Sequence, residues 1–121
     1  MSQRRVLIVD DDCELADLIT RLLVANGIAA RYVADSRLAM TVAEEFRPDA
    51  AIVDLRMPAP DGLEIIRRMR SAFSSLLIVV HSGCCEQPDR EEARLAGANN
   101  FIAKPAKIDE LLAALSAIEI F

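Results

Sequence analysis

The chain has 121 residues, 53% of them hydrophobic and 27% charged, with a formal net charge of −5. That length fits one domain whose core needs no disulfide or metal staple, and scattered basic residues beside clustered acids argue against a nucleic-acid-binding module. No apolar run is long enough to span a membrane, and the opening MSQRR leads into a strand without a signal-peptide core, so the expected compartment is the cytoplasm.

The apolar pattern alternates between short β-branched runs and longer helical periods. Val6 to Val9 reads as a strand. Cys13 to Asn26 reads as a helix, with Leu15, Leu18, Ile19, Leu22 and Leu23 at helical spacing and Asn26-Gly27 as its stop. Ala29 to Val33 is a weaker strand. Ser36 is the expected cap of a helix running to Phe46, with Pro48 beyond its end. Ala50 to Val53 is a fully apolar strand. Asp61-Gly62 makes a turn, and Leu63 to Ala72 is a helix with Leu63, Ile66 and Met69 along one side. Leu76 to Val80 is a buried strand, Asp89 to Leu95 a polar helix stopped at Gly97, Asn100 to Ala103 a short strand, and Ile108 to Ile118 the last helix. Five apolar strands alternating with five helices imply one α/β domain, a parallel sheet covered on both faces.

Each strong run ends in polar residues. VLIV is followed by Asp10, Asp11 and Asp12, and AAIV by Asp54. LLIVV ends at His81 and Ser82, and FIA at Lys104 and Pro105. The carboxyl ends of parallel strands gather on one edge of a sheet, where ligands bind. Carboxylates, a hydroxyl and a lysine collected there make a site for a divalent cation and a phosphoryl group. The three cysteines, Cys13, Cys84 and Cys85, have neither the number nor the spacing of a disulfide framework. They read as free thiols in a reducing compartment. No second paired motif completes a zinc set around Cys84, Cys85 and His81.

Taken together and in order, VLIVDDD, IVDLRMPAPDG, LLIVVHSG and AGANNFIAKP resemble the receiver domain of bacterial two-component response regulators across essentially the whole chain. The resemblance implies a single flavodoxin-like doubly wound domain over residues 1–121, strand order 2-1-3-4-5, with any output domain beyond this chain. It implies Asp54 as phosphoacceptor, Asp10 and Asp11 as the acidic pair, Lys104 as the lysine that balances charge, Ser82 as the switch hydroxyl and Phe101 as the aromatic switch position. Mg2+ (or Mn2+) would be held by Asp11, Asp54 and the Arg56 backbone carbonyl, with Asp10 acting through water, because magnesium takes oxygen ligands and keeps several waters. The implied partners are a sensor histidine kinase or phosphotransfer protein, with a C-terminal output domain or a homodimer as further possibilities. Direct nucleic-acid or membrane binding is not expected. The Lys104-Pro105 peptide is a candidate cis bond. Arg56 and Cys84 occupy the positions that line the path of the hydrolytic water, and are expected to tune the lifetime of the phosphorylated state.

Other roles are open for several of these residues. Asp12 fits a helix cap, Asp61 fits turn chemistry, Phe101 fits plain core, and His81 fits a packed or hydrogen-bonded side chain facing away from Ser82. The chain also departs from the family pattern. Ala59-Pro60 replaces a glycine-containing link. Ala106 follows Lys-Pro where a phenylalanine is common, leaving less side-chain volume under the last helix. Asn99-Asn100 stand where acids are frequent, and KIDELLAALSAIEIF lacks the arginine of the winged-helix branch's dimer face. On that helix Ile108, Leu111, Leu112 and Leu115 are expected to face the sheet. Ala113, Ala114, Ala117, Ile120 and Phe121 would form an apolar outer face for a partner.

Two other classes compete. A small haloacid-dehalogenase-type phosphatase has an aspartate-x-aspartate pair, a hydroxyl and a lysine that Asp10, Asp12, Ser82 and Lys104 would mimic. That reading leaves Asp54 and Met57-Pro58 unexplained and finds no cap domain. A pseudo-receiver that never takes phosphate is opposed by the intact acidic pair, acceptor, hydroxyl and lysine.

Overall fold

The computed structural model describes residues 3–83 and 87–116. The elements are β1 (Arg5–Val9), α1 (Cys13–Ala25), β2 (Ala29–Val33), α2 (Ala39–Phe46), β3 (Ala50–Val53), α3 (Gly62–Ala72), β4 (Leu77–Ser82), α4 (Gln87–Ala96), β5 (Asn100–Ala103) and α5 (Ile108–Ser116). The strands form one parallel sheet in the order β2-β1-β3-β4-β5, as expected.

The central strands are apolar throughout because both of their faces are covered. Leu7, Val9, Ala51, Val53, Ile78 and Val80 pack with Ile65, Ile66 and Met69 of α3 and Ala93 and Ala96 of α4. Their alternating neighbours Val6, Ile8, Ala50, Ile52, Leu77 and Val79 pack with Ile19 and Leu23 of α1 and Leu111 and Leu115 of α5. The period of two along a strand sends successive side chains into these two separate cores. β2 lies at the sheet edge, and its exposed Arg31 and Tyr32 explain its weaker apolar signal.

Helix starts follow local chemistry. The Asp12 carboxylate accepts from the Leu15 amide at 3.1 Å and caps α1, its expected role. Asp61 accepts from Glu64 N at 3.0 Å and caps α3, so the expected turn is the helix entry. Each such cap contributes about 1 kcal/mol. Ser36 does not cap the next helix. Asp35 accepts from Arg37 N at 3.0 Å and opens a 3-10 turn over Ser36–Leu38, and α2 begins only at Ala39. Ser36 is buried in that turn, where its hydroxyl donates to the Pro58 carbonyl at 3.0 Å.

Several boundaries and faces also differ from expectation. β4 continues through His81 and Ser82, because these pair with Ile102 and Ala103 of β5. α4 runs over Gln87–Ala96, longer than the Asp89 to Leu95 span that its polar composition suggested. The buried stripe of α1 is Ala16, Ile19 and Leu23, while Leu18 is 53% exposed and Leu22 36%. On α5, Leu111, Ala114 and Leu115 are buried and Ala113 is exposed. Ala114 therefore belongs to the core face, one turn from Leu111, rather than to an outer apolar face. Ala117, Ile118, Ile120 and Phe121 lie outside the described residues. The Lys104-Pro105 peptide is cis as expected, and Ala59-Pro60 is cis as well. Among the described residues, no helix is long and apolar enough to cross a membrane.

Gly62 sets how closely α3 approaches the end of β3. A methyl group there would overlap the Asp54 carbonyl oxygen and the Leu55 Cα. Since both neighbours are backbone, neither yields without moving Asp54. Gly62→Ala is expected to lower stability by about 1–3 kcal/mol, the usual cost of forcing extra volume into packed structure. Urea denaturation measures the loss, and an unchanged midpoint would show that α3 has room to shift.

Candidate functional site

The strand order places β1 beside β3 at the point where connections pass from one face of the sheet to the other, the usual ligand crevice of such folds. Asp10 follows the last residue of β1, and Asp54 follows the last of β3. Val9 and Val53 are paired in register, so the two carboxylates leave neighbouring strands at the same level. Asp10 and Asp54 are buried and Asp11 is exposed. One oxygen from each of Asp10, Asp11 and Asp54 lies within 4.8 Å of the others.

Lys104, just past β5, reaches back across the edge. Its Nζ sits 2.8 Å from Asp10 Oδ2 and 3.3 Å from Asp54 Oδ2. Backbone amides complete the arrangement: Asp12 N donates to Asp10 Oδ1 at 3.0 Å, and Arg56 N donates to Asp54 Oδ1 at 3.2 Å. Burial pushes the Asp10 carboxyl above its ordinary value despite Lys104 and the Asp12 amide, and the Asp54 charge adds to the rise. Burial alone would lower the Lys104 ammonium, but Asp10 and Asp54 together hold it above its ordinary value. Three carboxylates around one ammonium leave an excess of negative charge. Hard oxygen donors in that setting suit a divalent cation such as Mg2+.

Ser82 ends β4, next to β3, and is fully buried. Phe101 pairs with Val80 across β4 and β5. It packs partly buried against the core on the α3 and α4 side, with the Arg90 guanidinium 5.1 Å from its ring centroid. The Arg56 side chain ion-pairs with Asp89 of α4 at 3.9 Å. Both partners reach solvent, and such pairs contribute about 0–1 kcal/mol. Cys84 and Cys85 lie outside the described residues, and Cys13 is exposed and free.

Two contributors escaped the sequence reading. Asn99 Oδ1 accepts from Ile78 N at 2.9 Å and from Arg70 Nη2 at 2.7 Å. Arg70 also donates to the carbonyls of Gly97, Phe73 and Ser74. An asparagine just ahead of a strand is the sequence signal for such a bridge, but its partner lies 29 positions away.

His81 faces away from Ser82 and is packed rather than hydrogen-bonded, one of the two roles expected of it. It is 2% exposed, and neither ring nitrogen has a protein partner. Burial pushes its pKa down, the Lys104 charge adds to this, and Asp54 and Glu110 oppose it weakly. The unfolded chain therefore takes up a proton near the ordinary value of about 6.5, where the folded protein resists it. This contribution to stability is complete above about pH 6.5 and is lost as the pH falls below it. Between about pH 7.5 and 5.5 the chain is expected to lose stability more steeply than His81→Val, by up to about 1.4 kcal/mol per pH unit. Asp10, raised rather than lowered, has the opposite sign at lower pH. The comparison is read from urea midpoints, and parallel pH profiles would remove His81 as the cause.

Residues 6–116 match the response regulator receiver domain. The chain belongs to that family, whose members act in phosphorylation-based two-component signalling. Response regulator MprA of Mycolicibacterium vanbaalenii is 36% identical over 114 residues, covering 94% of this chain and 49% of that protein. The chain thus spans about half the length of the curated relatives it matches. Among solved structures, chemotaxis protein CheY4 of Vibrio cholerae superposes with a TM-score of 0.89 at 27% identity, covering 97% of this chain and 99% of that one. A Burkholderia pseudomallei response regulator, solved with a phosphorylated aspartic acid, a calcium ion and citrate, gives a TM-score of 0.89 at 28% identity over 98% of this chain and 71% of its own.

Proposed function

We propose that this domain accepts a phosphoryl group on Asp54 from a sensor histidine kinase or phosphotransfer protein, and relays that event through Ser82 and Phe101. The observation that carries the reading is the convergence of Asp10, Asp11 and Asp54 on one edge, with Lys104 Nζ bridging two of them. An Asp54 oxygen attacks phosphorus as the bond to the donor breaks, leaving an aspartyl phosphate. Lys104 turns from Asp54 to a phosphoryl oxygen, and the Ser82 hydroxyl donates to another. Asp10, Asp11, Asp54 and the Arg56 carbonyl are the residues that would hold Mg2+ (or Mn2+). When bound, that cation offsets the repulsion between an anionic donor and an anionic nucleophile. The solved Burkholderia pseudomallei relative, with its phosphorylated aspartic acid and calcium ion, supports this assignment.

Phe101, held against the core beneath Arg90, is the candidate reporter of the acceptor's state, acting by shifting a pre-existing equilibrium. The greater length of the relatives supports an output segment elsewhere in the full protein, and the domain would work in the cytoplasm. The test is incubation with acetyl phosphate. Intact mass should rise by one phosphoryl group with magnesium present and remain unchanged in EDTA. Steady turnover of p-nitrophenyl phosphate, with no phosphorylated protein, would favour the phosphatase instead.

A further inference from the structure

On the side of the sheet away from Phe101, α1 and α5 do not close over the end of β4. A cavity of about 120 Å3 remains between them. Its walls include Leu15, Leu18 and Leu22 of α1 and Ile108 and Leu111 of α5, with His81 as the buried polar group. Ala106 also lines it, and a larger side chain there would occupy the space.

We propose that this cavity binds a neutral, ring-sized apolar molecule bearing one hydroxyl group, of the phenol class, with the hydroxyl on His81. Three observations lead there. First, the volume is slightly below that of an engineered 150 Å3 cavity, lined by Leu, Ile and Phe, that takes up benzene. Second, buried polar groups are nearly always hydrogen-bonded, and the exceptions need an explanation; here both imidazole nitrogens are buried without a protein partner. The two nitrogens have almost no surface open to the cavity, so the ring must turn to present one. A neutral imidazole offers one donor and one acceptor, and a hydroxyl both donates and accepts, so it matches either nitrogen so presented. Third, Lys104 lines the cavity but its ammonium is already engaged by Asp10 and Asp54. A carboxylate would enter an apolar site without a free counter-charge, which is costly. A neutral ligand is therefore favoured over an anion. Because Lys104 borders both regions, an occupant would touch the side chain that braces the acidic cluster. The binding itself does not depend on the acceptor assignment.

The chain has a single histidine, so its imidazole signals in NMR report on this cavity without ambiguity. Phenol and benzene are each titrated into the chain. Phenol is expected to shift the His81 ring signals saturably and to bind at least about tenfold more tightly than benzene, a difference of about 1.4 kcal/mol. His81→Val should reduce phenol to the affinity of benzene. Ala106→Phe should abolish binding with the circular dichroism spectrum unchanged, and Ala106→Leu serves if the phenylalanine variant does not fold. No saturable shift up to the solubility limit of phenol would overturn the proposal and leave water as the only occupant. Equal affinity for phenol and benzene, or shifts that persist in the folded Ala106 variants, would overturn it as well.

Discussion

The Asp54→Asn protein is expected to gain no phosphoryl mass from acetyl phosphate and magnesium under conditions that modify the unsubstituted chain. The substitution keeps the shape of the side chain and removes the charge that makes it a nucleophile. Asp10 is a poor substitute. It is 2% exposed, bound to Lys104 at 2.8 Å and to the Asp12 amide at 3.0 Å. Asp11 is exposed and in the same cluster, so the variant also asks whether proximity alone suffices. Labelling should fall by at least about a hundredfold, equivalent to about 2.7 kcal/mol in barrier. Equal labelling of the variant would transfer the acceptor role to another carboxylate.

Lys104→Met should produce the largest change in stability. It leaves Asp10 and Asp54, both buried, without the ammonium that lies between them. Removing one partner of a buried ion pair typically costs about 3–5 kcal/mol, because the remaining charge is stranded. Part of the loss should return on acidification, as Asp10 takes up a proton, and part on adding magnesium, which stabilises whichever state binds it. The complementary change, Asp54→Ala, is expected to raise stability in EDTA and shrink the gain from magnesium, since it relieves the crowding of carboxylates. Chemical denaturation across pH, with and without magnesium, distinguishes these effects. A Lys104→Met protein as stable as the parent in EDTA at neutral pH would mean that water already screens the cluster.

The sequence made the sheet and the acidic cluster legible for a common reason. Strands buried on both faces must be apolar along their length, as VLIV, AAIV and LLIVV are, and the polar residues ending them mark the sheet edge directly. Asp10, Asp54 and Lys104 meet there because strand order and register bring them together; the alternation of elements implied only a parallel sheet, and the order came from the resemblance to receiver domains. What escaped depends on rotation and long-range packing. Leu18 and Leu22 satisfy helical spacing, but the face of α1 that meets the sheet runs through Ala16, Ile19 and Leu23. Ala114 is small enough to suit either face of α5, and only the packing decides that it turns inward. Ser36 and Asp35 are both competent caps, and composition does not choose between them. The cavity beside His81 is an absence of side-chain volume shared among distant segments, and the replacement at Ala106 was its one visible trace.

The bridge built by Arg70 gives the domain an uneven mechanical character. It fastens the end of α3 and the loop after it to Gly97 and Asn99, while Asn99 grips the first turn of the ladder between β4 and β5. All of this lies at the amino-terminal edge of the sheet, opposite Asp54, Ser82 and Lys104. One end of β4 and β5 carries this bridge, and the other end, paired through Ser82 and Ala103, carries the chemistry. The bridge and the chemistry are thus held by separate sets of contacts at opposite ends of the same two strands.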